Sequence, residues 1–300
     1  MLALTLQSRF RNASDHHVPS DLTHRSVISV LILRSKRHIP KPDMKKPHTL
    51  VTLAVAALLV LATPFARAQQ AIVVELFTSE GCSSCPSADA LLSELSMQPT
   101  AEGVELILLG EHVEYWNRLG WQDRFSAPAF TQRQYDYVHQ LHLATAYTPQ
   151  VVVDGRFQAL GSNATALRRM ISEAARITKP ARVSLELAEQ GRLHISVNVP
   201  TDKKLEVWIA VTEDNLTTNV RAGENDGRLL KHAAVTRELR QVGTTFDGLF
   251  EKTVKLPEKP DWKRADLRAL VLVQEPNAGP ILGAAAISLS PRTPKLAGRQ

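Results

Sequence analysis

The sequence predicts an α/β protein in which a domain with a helical insert, residues 69–179, is followed by an all-β, sandwich-like domain, residues 180–290. Three observations carry that prediction. An apolar, β-branched run passes through a short turn into Cys82-Ser83-Ser84-Cys85 and then into a helical pattern. A second apolar run is separated from Thr148-Pro149 and a further strand by a long, aromatic-rich segment. From Ala181 onward the hydrophobic period changes to two.

The elements follow in order. Ala71–Thr78 has the apolar, β-branched pattern of a buried strand. Ser79-Glu80-Gly81 is a turn, and Leu91, Leu92 and Leu95 share one face of a helix over Ser87–Met97. Pro86 lies in its first turn, where a missing N–H costs little. Gly103–Gly110 is a second buried strand. Residues 111–147 are too many for a plain connection. Within them Ser126-Ala127-Pro128 breaks the pattern, and Ala129–Leu141 reads as a helix carrying Phe130, Tyr137 and Leu141 inward. Gln150–Gly155 is a strand ending in an Asp-Gly turn, with Arg156–Gly161 as its hairpin partner. Ser162 or Asn163 caps a helix to about Ile177, with Leu167, Met170, Ile171 and Ala174 at helical spacing. Lys179-Pro180 marks the domain boundary. Alternating strands follow at Val183–Leu187, Leu193–Val199, Leu205–Val211, Ala233–Leu239, Gly248–Val254, Leu267–Gln274 and Ile281–Leu289, the pattern of a sandwich. Residues 291–300 form a tail.

Composition bounds the function. With 44% apolar and 22% charged residues the 300-residue chain is globular, and 14 Gly and 17 Pro without a period exclude a collagen-like or low-complexity protein. Met44-Lys45-Lys46, the apolar Leu50–Ala62 and Ala66-Arg67-Ala68 make the three parts of a secretory signal peptide over residues 44–68, cleaved near Ala68. Residues 1–43 read as translated upstream sequence. The expected product is periplasmic or secreted, without stable membrane insertion. Residues 1–68 hold ten of the 36 Lys and Arg and three of the 30 Asp and Glu, so the rest of the chain has 26 bases and 27 acids. The overall charge of +6 therefore belongs to the leader and gives no support to nucleic-acid binding.

The two cysteines, Cys82 and Cys85, both survive cleavage. In an exported protein such a pair is a reversible redox disulfide, a structural staple, or a metal-capturing pair. As a staple it is weak, because closing so small a loop contributes only about 2 kcal/mol. As an exchange site it is well built: one sulfur attacks a partner and the other resolves the mixed disulfide. Cys82 at a helix N-terminus gains thiolate stabilisation from the macrodipole and free N–H groups. A soft ion such as Cu(I) would accept two sulfurs, with His112 as a third ligand, whereas zinc would lack ligands. His112 otherwise reads as a polar residue near a strand end.

The order of strand, Cys-x-x-Cys helix, strand, helical segment, Thr-Pro, hairpin and helix resembles the thioredoxin fold. That resemblance implies a cis peptide at Thr148-Pro149 facing the cysteine pair, an outer nucleophile at Cys82 and a resolving thiol at Cys85. It also implies that Glu75, buried in the first strand, takes the resolving thiol's proton, although its spacing from Cys82 departs by one from the usual arrangement. More narrowly, Glu75–Pro86, His112–Trp121, Tyr147–Val153 and Gly223–His232 are similar to a bacterial family of secreted thioredoxin-like proteins, domain of unknown function 1223. The resemblance implies a fold and leaves the activity open.

Two function classes follow. The first is an exported thiol–disulfide oxidoreductase acting on protein or small-molecule disulfides and thiols through Cys82, Cys85, Thr148, Pro149 and Glu75, with no cofactor. The second is a non-enzymatic module that binds a metal ion, such as copper, or a partner protein. Tyr115, Trp116, Trp121, Phe125, Phe130, Tyr135 and Tyr137 are either the core of the covering helices or the walls of a groove beside Cys82. Gly223–Gly227, with Arg228 and His232, is a polar hairpin loop or a contact to the neighbouring domain. Asn163 and Asn215, each in an Asn-x-Thr triplet, read as a helix cap and a strand-end turn.

Overall fold

The computed structural model describes residues 70–97 and 104–290. The leader, signal peptide and tail read at residues 1–43, 44–68 and 291–300 lie outside them. The first half runs β1 (Gln70–Thr78), α1 (Pro86–Met97), β2 (Val104–His112), α2 (Pro128–Gln140), β3 (Gln150–Val153), β4 (Phe157–Leu160) and α3 (Ala164–Ala174). β1 and β2 pair in parallel, β3 lies antiparallel to β1, and β4 closes a hairpin on β3. Asp154 and Gly155 in that hairpin turn both take the left-handed conformation that the Asp-Gly pair tolerates. Asn163 caps α3, its side chain accepting from the Ala166 N–H at 3.0 Å.

The second half is all β: β5 (Arg182–Ala188), β6 (Arg192–Asn198), β7 (Glu206–Glu213), β8 (Leu216–Asn219), β9 (Leu229–His232), β10 (Val235–Thr244), β11 (Leu249–Lys255), β12 (Leu267–Gln274) and β13 (Ile281–Ser288). The short β8–β9 hairpin occupies residues that read as loop in the sequence; two strands of four residues are too short to register as a period. β11, β6 and β5 form a three-stranded sheet. Its Leu193, Ile195 and Val197 pack on Val207, Ile209 and Val211 of β7 and on Ala269, Val271 and Val273 of β12. Sheet therefore lies on sheet, as alternation in these strands requires.

The larger sheet crosses the expected domain boundary. Its eight strands run β13-β12-β7-β10-β2-β1-β3-β4, so the molecule is a mixed α/β structure around one large sheet. The seam is narrow. β10 meets β2 in parallel at Val235 and Gly110, and the Gly110 N–H donates to the Ala234 carbonyl at 2.7 Å. A side chain at Gly110 would press on that same carbonyl at 3.4 Å.

Alternation sorts the side chains of β1 between two faces. Ile72, Val74 and Leu76 pack with Ala88, Leu91, Leu92 and Leu95 of α1 and Leu167 and Met170 of α3. Val73 faces the other way, with Ile107 and Leu109 of β2 and Phe130 of α2. Phe77 meets Tyr137 of α2 edge-on at 6.0 Å between ring centroids. The cysteine turn sits at the carboxyl end of β1, where the chain leaves the sheet for α1.

Candidate functional site

Cys82 and Cys85 are paired as a disulfide with Cα atoms 5.4 Å apart. The helix itself begins at Pro86, so Cys85 immediately precedes it and Cys82 lies one turn earlier. The Cys85 carbonyl accepts the first helical bonds, from Ala88 and Asp89. The Cys82 N–H donates to the Ser79 carbonyl and the Cys85 N–H to the Cys82 carbonyl. Both cysteines are fully buried, and Ser83 and Ser84 are the exposed residues of the motif.

The Thr148-Pro149 peptide is cis, and it stands against the disulfide, with the Thr148 carbonyl 3.9 Å from the Cys82 sulfur. The Ser84 hydroxyl lies 3.3 Å from the same sulfur. α2 and the segment before it hold the loop in place. Trp116 Nε1 donates to the Thr148 hydroxyl at 2.7 Å, and Gln134 donates to the Tyr147 carbonyl and to the Gln150 side chain. Tyr115 donates to Gln134 in turn, and burial pushes its hydroxyl up to about 12. The aromatics therefore divide between the two readings. Phe130 and Tyr137 are core, whereas Tyr115 and Trp116 line the loop beside Cys82.

The polar loop of the second half closes on the cysteine turn. Asn225, fully buried, donates to the carbonyls of both Glu80 and Cys82 at 2.9 Å. Glu224 accepts from the Ser83 N–H at 3.0 Å, and hydrogen bonding from the Ser83 hydroxyl, then from this N–H, holds its carboxyl below its ordinary value. Arg228 donates to the Asn225 side-chain oxygen, fixing which way the amide points. The reading of Gly223–Gly227 as a contact to the other half describes the structure; the segment is a hairpin loop as well.

Glu75 is not brought to the cysteines. One position out of phase with Val74 and Leu76, it faces α2 on the opposite side of the sheet from α1. There Arg133 Nε and the Tyr137 hydroxyl donate to its two oxygens, both at 2.5 Å. Arg133 also reaches the Gln274 side chain and lies 3.7 Å from Glu111. Burial works against the charge on Arg133, but Glu75, Tyr137 and Glu111 outweigh it. With that cation already matched by Glu75, burial, and then repulsion from Glu75, push Glu111 well above the carboxylate range. Neither Glu111 oxygen has a hydrogen-bond partner among the described residues.

A carboxyl raised in the folded state contributes stability that is complete below its unfolded value near 4.5 and is lost as pH rises through the folded value. Wild-type stability should therefore fall with rising pH in a way that Glu111→Gln does not. Urea unfolding of both proteins at several pH values measures this, and parallel profiles would refute it.

Four residues near the motif carried no clear signal in the sequence. Asp89 lies four residues after Cys85, buried among Ala88, Leu91, Leu92 and Leu95, and accepts from the Thr78 hydroxyl at 2.9 Å. A carboxylate on the apolar face of a helix was the available clue. Asp123 accepts from the Glu80 N–H and from His112, and Trp121 donates to Glu80. Asn225 and Glu224 are visible in the sequence only as part of a polar string.

The family model described as a protein of unknown function (DUF1223) matches residues 73–274, two thirds of the chain. No curated protein matches. The crystal structure of a structural-genomics target from Agrobacterium tumefaciens is similar over 73% of this chain and 94% of that one, at 28% identity and a TM-score of 0.59. A β-glucuronidase of Bacteroides uniformis, at 14% identity and a TM-score of 0.19, covers 36% of this chain and 12% of its own. The R. palustris protein CsgH covers 36% of this chain and 90% of its own, at 13% identity and a TM-score of 0.16. Scores that low carry no argument. The family match takes in both the cysteine turn and the polar loop that clamps it, and the chain belongs to that family of proteins of unknown function, DUF1223.

Proposed function

We propose that the protein is an exported thiol–disulfide oxidoreductase built on a thioredoxin-like fold. One observation carries the reading: the Cys82–Cys85 disulfide leads into α1 and stands against a cis Thr148-Pro149 peptide. The strand order β2-β1-β3-β4 with α1 and α3 on one face supports it. Cys82 attacks a substrate disulfide as the thiolate and Cys85 releases the product. Thr148 and Pro149 align the substrate strand, and the sandwich-like half selects or docks the partner. The substrates are protein or small-molecule disulfides and thiols in the periplasm or outside the cell, and no cofactor is required. No helix among the described residues is long and apolar enough to cross a membrane.

The full burial of both sulfurs favours a second reading, a non-enzymatic module in which the pair is a staple or, when reduced, a ligand for a soft metal or a partner. Equilibration with glutathione buffers, followed by alkylation of free thiols, separates the two. An exchange site shows a reversible two-electron transition between about −100 and −280 mV. A pair that stays oxidised below about −300 mV is a staple, and the oxidoreductase reading falls.

A further inference from the structure

Five ionisable side chains are buried together behind the disulfide turn: Glu80, Asp89, His112, Asp123 and His232. They come from the turn before α1, from α1, from β2, from the segment after β2 and from β9. Three acids facing two histidines cannot all be ionised without protonating the histidines, because unpaired buried charge is costly.

The two histidines are held differently. His112 Nδ1 lies 2.6 Å from Asp123 Oδ2, a tight pair. Burial opposes its charge, but Asp123, with Asp89 and Glu80, outweighs burial and raises it. His232 is incompletely partnered. Its Nε2 lies 3.3 Å from Glu80 Oε1, yet neither ring nitrogen nor that oxygen makes a hydrogen bond among the described residues. Trp121 occupies the other Glu80 oxygen. His232 is 5% exposed, its ring is 5.1 Å from that of His112 and 5.7 Å from that of Phe125, and Asp89 lies within electrostatic reach. The guanidinium groups of Arg124 and Arg237 lie over the Phe125 ring, 4.5 and 5.2 Å from its centroid. A proton on His232 would find Glu80 waiting.

The cluster is wired to the redox pair from both sides. Glu80 precedes Cys82 by two residues, and Asn225 bridges their carbonyls. Asp89 follows Cys85 by one turn, with its N–H on the Cys85 carbonyl. A negative charge created at Cys82 is therefore felt here through a poorly screened interior.

Resting on the oxidoreductase reading, we propose that His232, with Glu80, is the positioning residue that couples a proton to the Cys82–Cys85 pair. Two electrons from a thiol donor, itself oxidised to a disulfide with release of two protons, break the S–S bond. One proton goes to the Cys85 thiol and the other to His232, and Cys82 remains a thiolate. His112 is already paired with Asp123, which leaves the incompletely partnered His232 to take the second proton.

The test is the midpoint potential of the Cys82–Cys85 pair between about pH 5 and pH 8, in wild type and in His232→Gln. Loss of one proton per electron pair flattens the variant's response by tenfold in the exchange constant per pH unit, about 30 mV. The ring titration of His232, followed by proton NMR in oxidised and reduced wild type, tests the same point without a substitution. It should move upward on reduction. Equal slopes, or for an unfolded variant equal His232 titrations in the two redox states, overturn the inference and leave the oxidoreductase reading intact. A wild-type pair with no reversible transition at any pH overturns that reading, and the inference with it.

Discussion

Cys82→Ser is expected to abolish disulfide exchange, whereas Cys85→Ser is expected to accumulate a stable mixed disulfide with substrate. The asymmetry follows from position. The Cys82 sulfur is the one that meets the Thr148 carbonyl at the cis peptide, where a substrate strand would lie, while Cys85 sits at the start of α1 with its carbonyl inside the helix. A nucleophile must reach the incoming disulfide, and the resolving thiol needs only to reach its neighbour. Both residues are fully buried, so exchange of either kind would need the surroundings of the disulfide turn to open. Turnover with a model disulfide, and mass spectrometry of trapped adducts, read the two variants directly. Adducts forming at Cys85 in Cys82→Ser, or undiminished turnover in that variant, would invert the assignment.

Arg133→Met is expected to cost about 3–5 kcal/mol of stability, because it strands a buried carboxylate. Among the described residues Arg133 is the cation paired with Glu75, and Glu111 lies 3.7 Å from the same guanidinium. The double variant Arg133→Met with Glu75→Gln should recover much of that loss, since the charge left behind is then removed as well. Urea denaturation gives both values, and a loss below about 1 kcal/mol for the single variant would show that the pair is not structural. The same Glu75→Gln protein bears on the chemistry. Resolution of the mixed disulfide is expected to keep its rate near neutral pH, because Glu75 anchors α2 through Arg133 and Tyr137 and faces away from α1; a slowed resolution would restore Glu75 as the acceptor of the Cys85 proton.

Much of this architecture could be read from periodicity. The apolar run at Ala71–Thr78, the leucines at 91, 92 and 95, and the Asp-Gly turn at 154–155 are local signals, and each element formed where its residues asked for it. Thr148-Pro149 was legible because it directly precedes a strand. What stayed hidden is nonlocal. Nothing near Gly110 announces that Ala234 will supply its hydrogen-bond acceptor, so a change of period at Ala181 read as a break between domains although the sheet runs through it. Asn225 is separated from Cys82 by 143 positions, and its worth lies in two carbonyls that carry no side-chain signature. The phase of Glu75 was readable in principle: Leu76, one residue on, takes the side facing α1.

The seam at Gly110 limits how this protein could have been assembled or could be taken apart. Cutting at residue 180 would remove the bridge at Val235 and Gly110, and with it the neighbour of β2 on the side away from β1, leaving that apolar edge open to edge-to-edge association. It would also strip Asn225, Glu224 and His232 from the disulfide turn. The cysteine half is therefore no transferable cassette. Whatever the disulfide does, its surroundings are written in two distant stretches of the chain that have to be inherited together.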